Sequence, residues 1–440
     1  MELNELKDLL RASGVVGAGG AGFPTYAKLT DKADTIILNC AECEPLLKLH
    51  RQLLEEYTVE ILTALSEMLK ATGAKSAIIA VKEHYKATIK ALEAEISDFP
   101  EISVFKLKSV YPSGDEIILI KDVTGRLVQP GNLPVSVGVV VCNVESVYNV
   151  YQALQGRSVT HKYVTVAGEV ANPITLLAPI GTKISELIRA AGGLTLDDVE
   201  YISGGPMMGK IVNSSDVVTK TTNAILALPA DHSVILNKTR NPKISLKRAM
   251  AVCCQCRSCT ELCSRHVAGY PVEPHMVMRV LSNGGRGDVE SLKGSLFCSD
   301  CGLCENYSCP QDLSPRALIA EMKAELRRSG GKLPQGIKAE EEVKDAEYRR
   351  VSVERLTMRL GLKKYDCPAP ISENFDTNSV KILLSQHIGA PAEVNISVGD
   401  KVKLGDVIAT AKDGALSVNI HASIDGKVVS VTPKYIKISK

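Results

Sequence analysis

The chain has 440 residues, enough for about three domains that each bury a core of their own. Lys and Arg number 52 and Asp and Glu 50, a formal net charge of +2, and no basic run is long enough to follow a phosphate backbone, so we expect no nucleic-acid partner. The longest apolar runs, such as residues 135–142, fall short of the roughly 20 residues of a membrane helix, and the acidic start lacks a signal-peptide core. We therefore expect a cytoplasmic protein without a transmembrane segment.

The first part of the chain alternates strand-like and helix-like runs. TIILNC, which begins at residue 35, is followed by a long helical run, and SAIIAVK and VGVVVCN continue the pattern with helical runs between them. Such alternation predicts a mostly parallel sheet with helices on its faces, so we expect an α/β domain over residues 1–160. Residues 161–244 begin with an alternating strand, a turn, a second strand and a helix that ends in Gly-Gly, which predicts a separate small α+β domain.

Three further segments follow. Residues 245–330 carry most of the cysteines between helical stretches such as SPRALIAEMKAELRRSG. Residues 331–375 are highly charged and predict a solvated helix or linker. Residues 376–440 contain short strands broken by Gly-Asp and Asp-Gly turns, which predicts a small all-β domain.

Nine of the 13 cysteines lie between residues 253 and 309, where metal ligation is a better interpretation than disulfides in a reducing compartment. The two runs are Cys253-x2-Cys256-x2-Cys259-x3-Cys263 and Cys298-x2-Cys301-x2-Cys304-x4-Cys309-Pro310. Three thiolates on a tight loop can bind three irons of a cubane, and in two-cluster ferredoxins the fourth ligand comes from the other run. The first predicted 4Fe-4S ligand set is Cys253, Cys256, Cys259 and Cys309. The second set is Cys298, Cys301, Cys304 and Cys263.

Zinc is the alternative, since paired Cys-x2-Cys elements also form tetrahedral sites, although a detached fourth cysteine is unusual there. Cys254 breaks the two-residue spacing and is interpreted as a bystander. The remaining cysteines are isolated and are expected to behave as small buried hydrophobes: Cys40, Cys43, Cys142 and Cys367. His266 and His275 are interpreted as surface or packing residues, because cysteine already fills all eight ligand positions.

A glycine-rich loop lies near the N-terminus. Gly17-x-Gly19-x-x-Gly22 matches the dinucleotide fingerprint, but an amphipathic helical segment precedes it where that fingerprint requires a buried strand. Bare backbone at several glycines lets a flat or phosphorylated ligand approach closely, and exposed amides can bind an anion. A simple connecting loop is the alternative.

Four motifs in order then carry a family resemblance. Residues 17–25, GAGGAGFPT, resemble the flavin-binding loop of the NADH-oxidising subunit of respiratory complex I, and residues 39–45, NCAECEP, resemble the acidic element that follows it. Residues 111–116, YPSGDE, and residues 142–146, CNVES, resemble two further motifs of that family. The chain is thereby identified as a member of this superfamily, with a Rossmann-like flavin domain at its start.

The resemblance implies FMN and NADH as cofactors. The residues implied for the mononucleotide phosphate are Gly17, Gly19, Gly20, Gly22 and Lys28. Those implied around the flavin ring and the nicotinamide are Asn39, Glu42, Tyr111, Gly114, Asp115, Glu116 and Asn143. Phe23 is implied as an aromatic stack for the adenine or nicotinamide, with a packing role as the alternative. Ala18 (the family has Arg), Asp115 (Glu) and Cys142 (Asn) depart from the family pattern, which bears on NADH selectivity.

The rest of the chain narrows the branch. Residues 163–209 resemble a soluble-ligand-binding β-grasp (SLBB) domain, and the tandem cysteine runs resemble a helical two-cluster ferredoxin-like domain. Such runs occur in the RnfC component of Rnf-type complexes and in the cobalamin reductases of propanediol-utilisation microcompartments. VGDKVKLGDVIA and IDGKVVSV resemble a barrel-sandwich hybrid of the lipoyl type, C-terminal here as in the cobalamin reductases, but DGALSVNIHA offers no carrier lysine at the centre of its hairpin.

The resemblance implies an oxidoreductase that passes electrons from NADH through FMN and two 4Fe-4S clusters to a corrinoid or a corrinoid-binding partner, because flavin joins two-electron to one-electron carriers. The alternatives are an Rnf-type component that exchanges electrons between NADH and ferredoxin, and a non-catalytic iron–sulfur relay. A bacterial microcompartment is the implied location and a shell protein a further candidate partner. The short N-terminal helix could be a targeting signal or could pack on its own domain.

Overall fold

The computed structural model describes residues 1–286 and 292–440. The first domain alternates helices and strands along the chain. Its elements are α1 (Leu3–Ala12), α2 (Thr25–Lys28), β1 (Thr35–Cys40), α3 (Leu49–Glu56), α4 (Thr58–Thr72), β2 (Ser76–Lys82), α5 (Lys86–Glu95), β3 (Ile102–Leu107), β4 (Val110–Tyr111), α6 (Glu116–Thr124), β5 (Val139–Asn143) and α7 (Val144–Leu154).

The four long strands form one parallel sheet in the order β3-β2-β1-β5, so the predicted parallel α/β domain is confirmed. Helices cover both faces, which is why β1 reads as a nearly continuous apolar run. The chain moves outward from β1 to β3 and then returns to β5 on the other side of β1. In open α/β sheets, ligands bind beyond the carboxyl ends of the strands at such a reversal, here between β1 and β5.

Helix α1 lies against this domain. Leu6 and Leu10 are one turn apart on its apolar face, and both are buried in the main hydrophobic core. The apolar face of α1 is therefore occupied by its own domain.

The second domain is built on an antiparallel and parallel sheet. Its elements are β6 (His161–Gly168), β7 (Ile174–Pro179), α8 (Ile184–Ala190), β8 (Val199–Ser203), β9 (Lys210–Val212), β10 (Ala224–Pro229) and α9 (Ser233–Thr239). Strands β6 and β7 pair antiparallel, whereas β6 and β10 pair parallel across the sheet centre. Helix α8 buries Ile184, Leu187 and Ile188 against the apolar sheet face, which is the core of this α+β unit.

The cysteine region is helical. Its helices are α10 (Pro242–Val252), α11 (Ser258–Glu261), α12 (Ser264–Val267), α13 (Pro274–Ser282), α14 (Leu292–Ser295) and α15 (Pro315–Arg328). Within the ranges that the structure describes, no helix is both long enough and apolar enough to cross a bilayer.

The segment at 331–375 differs from a solvated linker. It contains β11 (Val351–Ser352), α16 (Val353–Arg359) and β12 (Ile371–Ser372). Strand β11 pairs with β4 of the first domain, and β12 pairs with β7 of the second. Charge dominates only the part before β11, while Leu356 and Leu362 are fully buried, so the segment ties the two domains together.

The C-terminal domain is all β, as predicted. Its strands are β13 (Ser379–Leu383), β14 (Glu393–Val394), β15 (Lys401–Val402), β16 (Val407–Thr410), β17 (Ile420–His421), β18 (Gly426–Val431) and β19 (Tyr435–Ser439). They form two sheets, in the orders β13-β19-β18-β15 and β14-β16-β17. Apolar residues of these sheets, such as Ile382 and Ile436, belong to the same core as the first domain, so the C-terminal domain packs on the flavin-like sheet.

Candidate flavin and iron–sulfur sites

The glycine-rich loop forms a narrow turn between α1 and α2. The Gly17 amide donates to the Phe23 carbonyl at 2.9 Å and closes the turn, which leaves Gly19 and Gly20 exposed at its tip while Phe23 is partly buried. The Ala18 amide donates to the Ser146 hydroxyl at 2.9 Å. The tip of the loop therefore faces the start of α7, just beyond β5.

Glycine is required at position 19 by a close approach. A Cβ added there would lie 2.3 Å from the Asn143 amide nitrogen, whereas a Cβ at Gly20 would meet no atom within 4 Å. Asn143 is the last residue of β5, and its side-chain oxygen caps α7 by accepting from the Glu145 amide at 3.0 Å. The loop tip and the end of β5 thus face each other at the strand reversal.

Asn39 and Asn143 are paired residues of β1 and β5. The Asn39 side chain donates to the Gly114 carbonyl at 3.0 Å and accepts from the Ala41 amide at 3.1 Å. The structure therefore brings Gly19, Asn39, Gly114 and Asn143 together at the reversal between the two strands, as predicted from the order of their motifs.

Lys28 and Glu116 lie at the same sheet edge. The Lys28 ammonium donates to the Val141 carbonyl of β5 at 3.1 Å and lies 3.5 Å from the Glu116 carboxylate. Both side chains are partly exposed. This charge pair is open to solvent and to a ligand that enters from outside the sheet.

Glu42 points away from solvent. Its carboxylate accepts from the His50 amide at 2.8 Å, in the first turn of α3, and its side chain is buried. Burial raises the pKa of Glu42, although the helix amides oppose the shift. The carboxylate thus shapes the loop after β1 and fixes α3 beside the site.

His50 was not predicted from the sequence. Its ring nitrogen Nε2 lies 3.0 Å from the Asn143 amide nitrogen, and burial lowers its pKa to about 3, so the ring is neutral at physiological pH. A neutral imidazole can accept from Asn143 and hold the side chain that faces Gly19. Only its position shortly after the acidic element could have drawn attention to it.

The acidic element also contacts the second domain. The Glu44 carboxylate accepts from the amides of Met207 and Met208, each at 2.9 Å. A Cβ at Gly205 would lie 2.2 Å from that carboxylate, so the bare backbone of the GGPMMG turn permits the contact. The two motifs, which are far apart in sequence, therefore form one joint.

The glycine-rich loop is supported from behind by two domains. The buried Lys220 ammonium of the second domain donates to the Gly14 carbonyl at 2.7 Å and to the Asn419 carbonyl of the C-terminal domain at 3.0 Å. A Cβ at Gly22 would lie 3.0 Å from the Cα of His387. The C-terminal domain therefore acts as a packing module that positions the loop.

Tyr111 and Asp115 face the cysteine region. The buried Tyr111 hydroxyl donates to the Cys301 carbonyl at 2.6 Å. The Asp115 carboxylate accepts from Arg265, with 2.9 Å to its Nη2 atom. Both polar groups are thus engaged between the first domain and the second cysteine set, while their backbone remains at the sheet edge.

The first cysteine set lines one pocket near the surface. Its lining includes Cys253, Cys254, Cys256, Cys259, His275, Met278, Cys309 and Leu313. Gln255 and Arg257 have positive φ angles of 54° and 65°, which curl the run so that its thiols converge. Burial, followed by the thiols of Cys309, Cys253 and Cys256, raises the pKa of Cys259 to about 12. Such crowding of thiols against an apolar wall fits a cubane cluster.

The second set lies deeper. Cys263, Cys301 and Cys304 are each less than a tenth exposed. Burial raises the pKa of Cys263, and the thiols of Cys298 and Cys301 raise it further, so the fourth cysteine of the first run lies near the second run. Within the described residues, no group of three or more Cys, His, Asp or Glu side chains is arranged to hold a single metal ion.

Comparison with known proteins assigns the domains. Residues 10–152 match the family described as Nuo51 FMN-binding domain, and residues 252–314 match the 4Fe-4S dicluster domain. Residues 163–210 match the SLBB domain, and residues 361–440 match the RnfC barrel sandwich hybrid domain. The predicted FMN-binding and dicluster domains are thereby confirmed, which favours iron–sulfur clusters over zinc.

Curated relatives extend the match to the whole chain. The chain is 40% identical to cobalamin reductase PduS of Salmonella typhimurium over 441 residues, 100% of this chain and 97% of the relative. It is 41% identical to cobalamin reductase PduS of Citrobacter freundii, over 98% of this chain and 96% of the relative. The chain belongs to the cobalamin reductase PduS family.

More distant proteins share parts of the architecture. The RnfC-type component of the Na(+)-translocating ferredoxin:NAD(+) oxidoreductase complex of Acetobacterium woodii is 32% identical over 61% of this chain and 59% of that protein. Among solved structures, an NAD+-reducing [NiFe]-hydrogenase in the H2-reduced state superposes with a TM-score of 0.51 at 20% identity, covering 78% of this chain and 69% of that chain. At that identity the likeness indicates a shared fold.

Proposed function

We propose that the chain takes electrons from NADH and delivers them, through FMN and two 4Fe-4S clusters, to a corrinoid, and so reduces cobalamin. The observation that carries this proposal is the end-to-end match to two proteins named cobalamin reductase. The Rnf-type relative matches three-fifths of the chain, and the barrel-sandwich domain is C-terminal here.

The proposed flavin site is the reversal between β1 and β5. Gly17, Gly19, Gly20 and Gly22 would offer backbone amides to the phosphate, and Asn39 and Asn143 would face the ring system. Lys28 supplies a positive charge at the same edge and Glu116 a negative one, 3.5 Å apart. FMN, when bound, joins the two-electron chemistry of a nicotinamide to one-electron carriers.

The proposed cluster ligands are the first and second cysteine sets. Support for these sets comes from the thiol crowding at Cys259 and Cys263, which involves cysteines of both runs. The second set adjoins the first domain through Tyr111, and Cys256 of the first set is exposed. We therefore propose that electrons enter at the second set and leave from the first.

The test is an anaerobic titration of cluster-loaded, FMN-reconstituted protein with NADH, followed by cob(III)alamin, while flavin, cluster and corrinoid absorbance are recorded. We expect NADH to bleach flavin and clusters and cobalamin to restore both as it is reduced. In the Cys256→Ser variant, NADH should still bleach the flavin while corrinoid reduction is lost. Cys254→Ser is the matched thiol control and should behave as the wild type.

Two outcomes would replace the proposal. Bleaching of the clusters by dithionite but not by NADH would indicate an iron–sulfur relay. Catalytic reduction of a small ferredoxin without reduction of cobalamin would indicate an Rnf-like exchange, the second candidate, which the match to the Acetobacterium woodii protein favours.

We also propose that the chain works inside a bacterial microcompartment with a shell protein as partner, as the membership of the PduS family suggests. Because Leu6 and Leu10 of α1 are buried in the chain's own core, a shell contact would use another surface. Fractionation of purified microcompartments by immunoblotting tests this location, and recovery of the chain outside them would contradict it.

A further inference from the structure

One ion pair joins the first domain to the second cysteine set. Arg265 donates to the Asp115 carboxylate through Nε at 3.1 Å and Nη2 at 2.9 Å. The side chains are 14% and 6% exposed. Two-point contact between nearly buried groups makes this a strong and directional pair.

Each partner is held in place by its own domain. The Asp115 carboxylate also accepts from the amides of Ile117 and Ile118, at 3.0 and 3.3 Å, and so caps α6. The Arg265 guanidinium lies 5.1 Å from the centre of the Tyr270 ring, whose face attracts the cation. The two charges are therefore fixed in space.

Both charges act on thiols of the second set. Burial raises the pKa of Cys298, and the Arg265 charge is among the influences that oppose this rise. Burial raises the pKa of Cys301 to about 12, and the Asp115 charge contributes in the same direction. Arg265 also follows Cys263 by two residues. The pair thus places one positive and one negative charge beside the same group of sulfurs.

We propose that Asp115 and Arg265 are positioning residues that set the reduction potential of the cluster at the second set through their opposed charges. This inference rests on the proposed ligands Cys298, Cys301, Cys304 and Cys263. Reduction adds one electron to a buried cluster, so a nearby positive charge raises its potential and a negative charge lowers it.

The pair makes a prediction that loss of packing alone does not make. Asp115→Asn keeps the helix cap, because Asn is an equally good capping residue, and leaves Arg265 unbalanced, so the potential should rise. Arg265→Gln leaves Asp115 unbalanced, so the potential should fall. The double variant should return close to the wild type. At a fixed ambient potential, each single variant should change the ratio of oxidised to reduced cluster on the order of tenfold, which is 59 mV for a one-electron couple.

Another pair at this cluster has to be kept intact. Lys323 contacts the Cys298 carbonyl and lies 3.1 Å from Asp300, whose side chain is 43% exposed. Because water screens this pair more than the buried one, it is left unchanged in all variants.

The experiment is an anaerobic redox titration of the reconstituted holoprotein, followed by electron paramagnetic resonance, for the wild type, both single variants and the double variant. Arg265→Lys keeps the charge and should stay near the wild-type potential, which separates charge from geometry if Arg265→Gln folds poorly. Asp122→Asn is the matched control, because Asp122 forms a two-point pair with Arg350, at 2.6 and 2.7 Å, that belongs to neither cysteine set. It should move neither cluster.

Opposite shifts of one of the two cluster signals, cancelled in the double variant, would support the proposal. Shifts in the same direction, or unchanged potentials in both single variants, would overturn it. Iron content and cobalamin reduction are measured in parallel: wild-type protein without two clusters would overturn this inference together with the ligand sets, whereas opposite shifts without cobalamin reduction would remove only the proposed acceptor.

Discussion

Glu145 of the first domain and Lys162 of the second form an ion pair with side chains only 2% and 1% exposed. Lys162 also donates to Asn223 at 2.7 Å, and Glu145 accepts from the Tyr163 amide at 3.2 Å. Glu145 lies two residues after Asn143, so this pair anchors the end of the flavin site to the neighbouring domain.

Removal of one partner should be costly. We expect Glu145→Gln to lower the free energy of unfolding by about 3–5 kcal/mol, because Lys162 would remain buried without a counter-charge. Urea unfolding followed by circular dichroism measures the change. The double variant Glu145→Gln with Lys162→Met should lose less than the single one, since no buried charge remains. A double variant as unstable as the sum of both single variants would contradict a coupled pair.

The glycine-rich loop makes a prediction about flavin affinity. Gly19→Ala would place a methyl group 2.3 Å from the Asn143 side chain, so the loop or Asn143 must shift, and we expect FMN binding to weaken about tenfold or more. Titration by flavin fluorescence measures the dissociation constant. Gly20→Ala meets no protein atom within 4 Å, so weaker binding there would show that the ligand itself occupies the space beside Gly20. An unchanged affinity in Gly19→Ala would contradict the position of the site.

The two cysteine sets predict iron loss by halves. Cys309→Ser and Cys256→Ser should each reduce the iron content from about eight to about four per chain and remove the same cluster, since both belong to the first set. Cys263→Ser should remove the other cluster. Iron analysis and electron paramagnetic resonance of the anaerobically reconstituted variants distinguish the outcomes, and loss of the first-set cluster in Cys263→Ser would disprove the crossed ligation.

His50 predicts a pH dependence of stability. Burial lowers its pKa from 6.5 to about 3, so below pH 6.5 the unfolded chain binds a proton that the folded chain does not. Folding is therefore destabilised as pH falls from about 6.5 towards 3, at up to about 1.4 kcal/mol per pH unit for this group. We expect His50→Gln to remove that component, seen as a difference in slope between variant and wild type in urea unfolding at several pH values. Parallel slopes would contradict a buried neutral His50.

Local patterns predicted much of this protein. Ligand spacing in the cysteine runs is a property of a few consecutive residues, and the alternation of apolar strands with amphipathic helices reports a parallel sheet directly. The family motifs identified Gly19, Asn39, Gly114 and Asn143, which meet at one edge because parallel strands end on the same side. For these features, short-range physics and strand direction suffice.

Contacts over long sequence separations were beyond the sequence. Asp115 meets Arg265 across 150 residues, and Lys220 meets Gly14 across 206. The burial of His50, the joint between Glu44 and Met207, and the strands within the charged segment depend equally on how domains pack. A charged side chain has the same local signature in solvent as in a buried pair, and only the tertiary structure decides which partner replaces water.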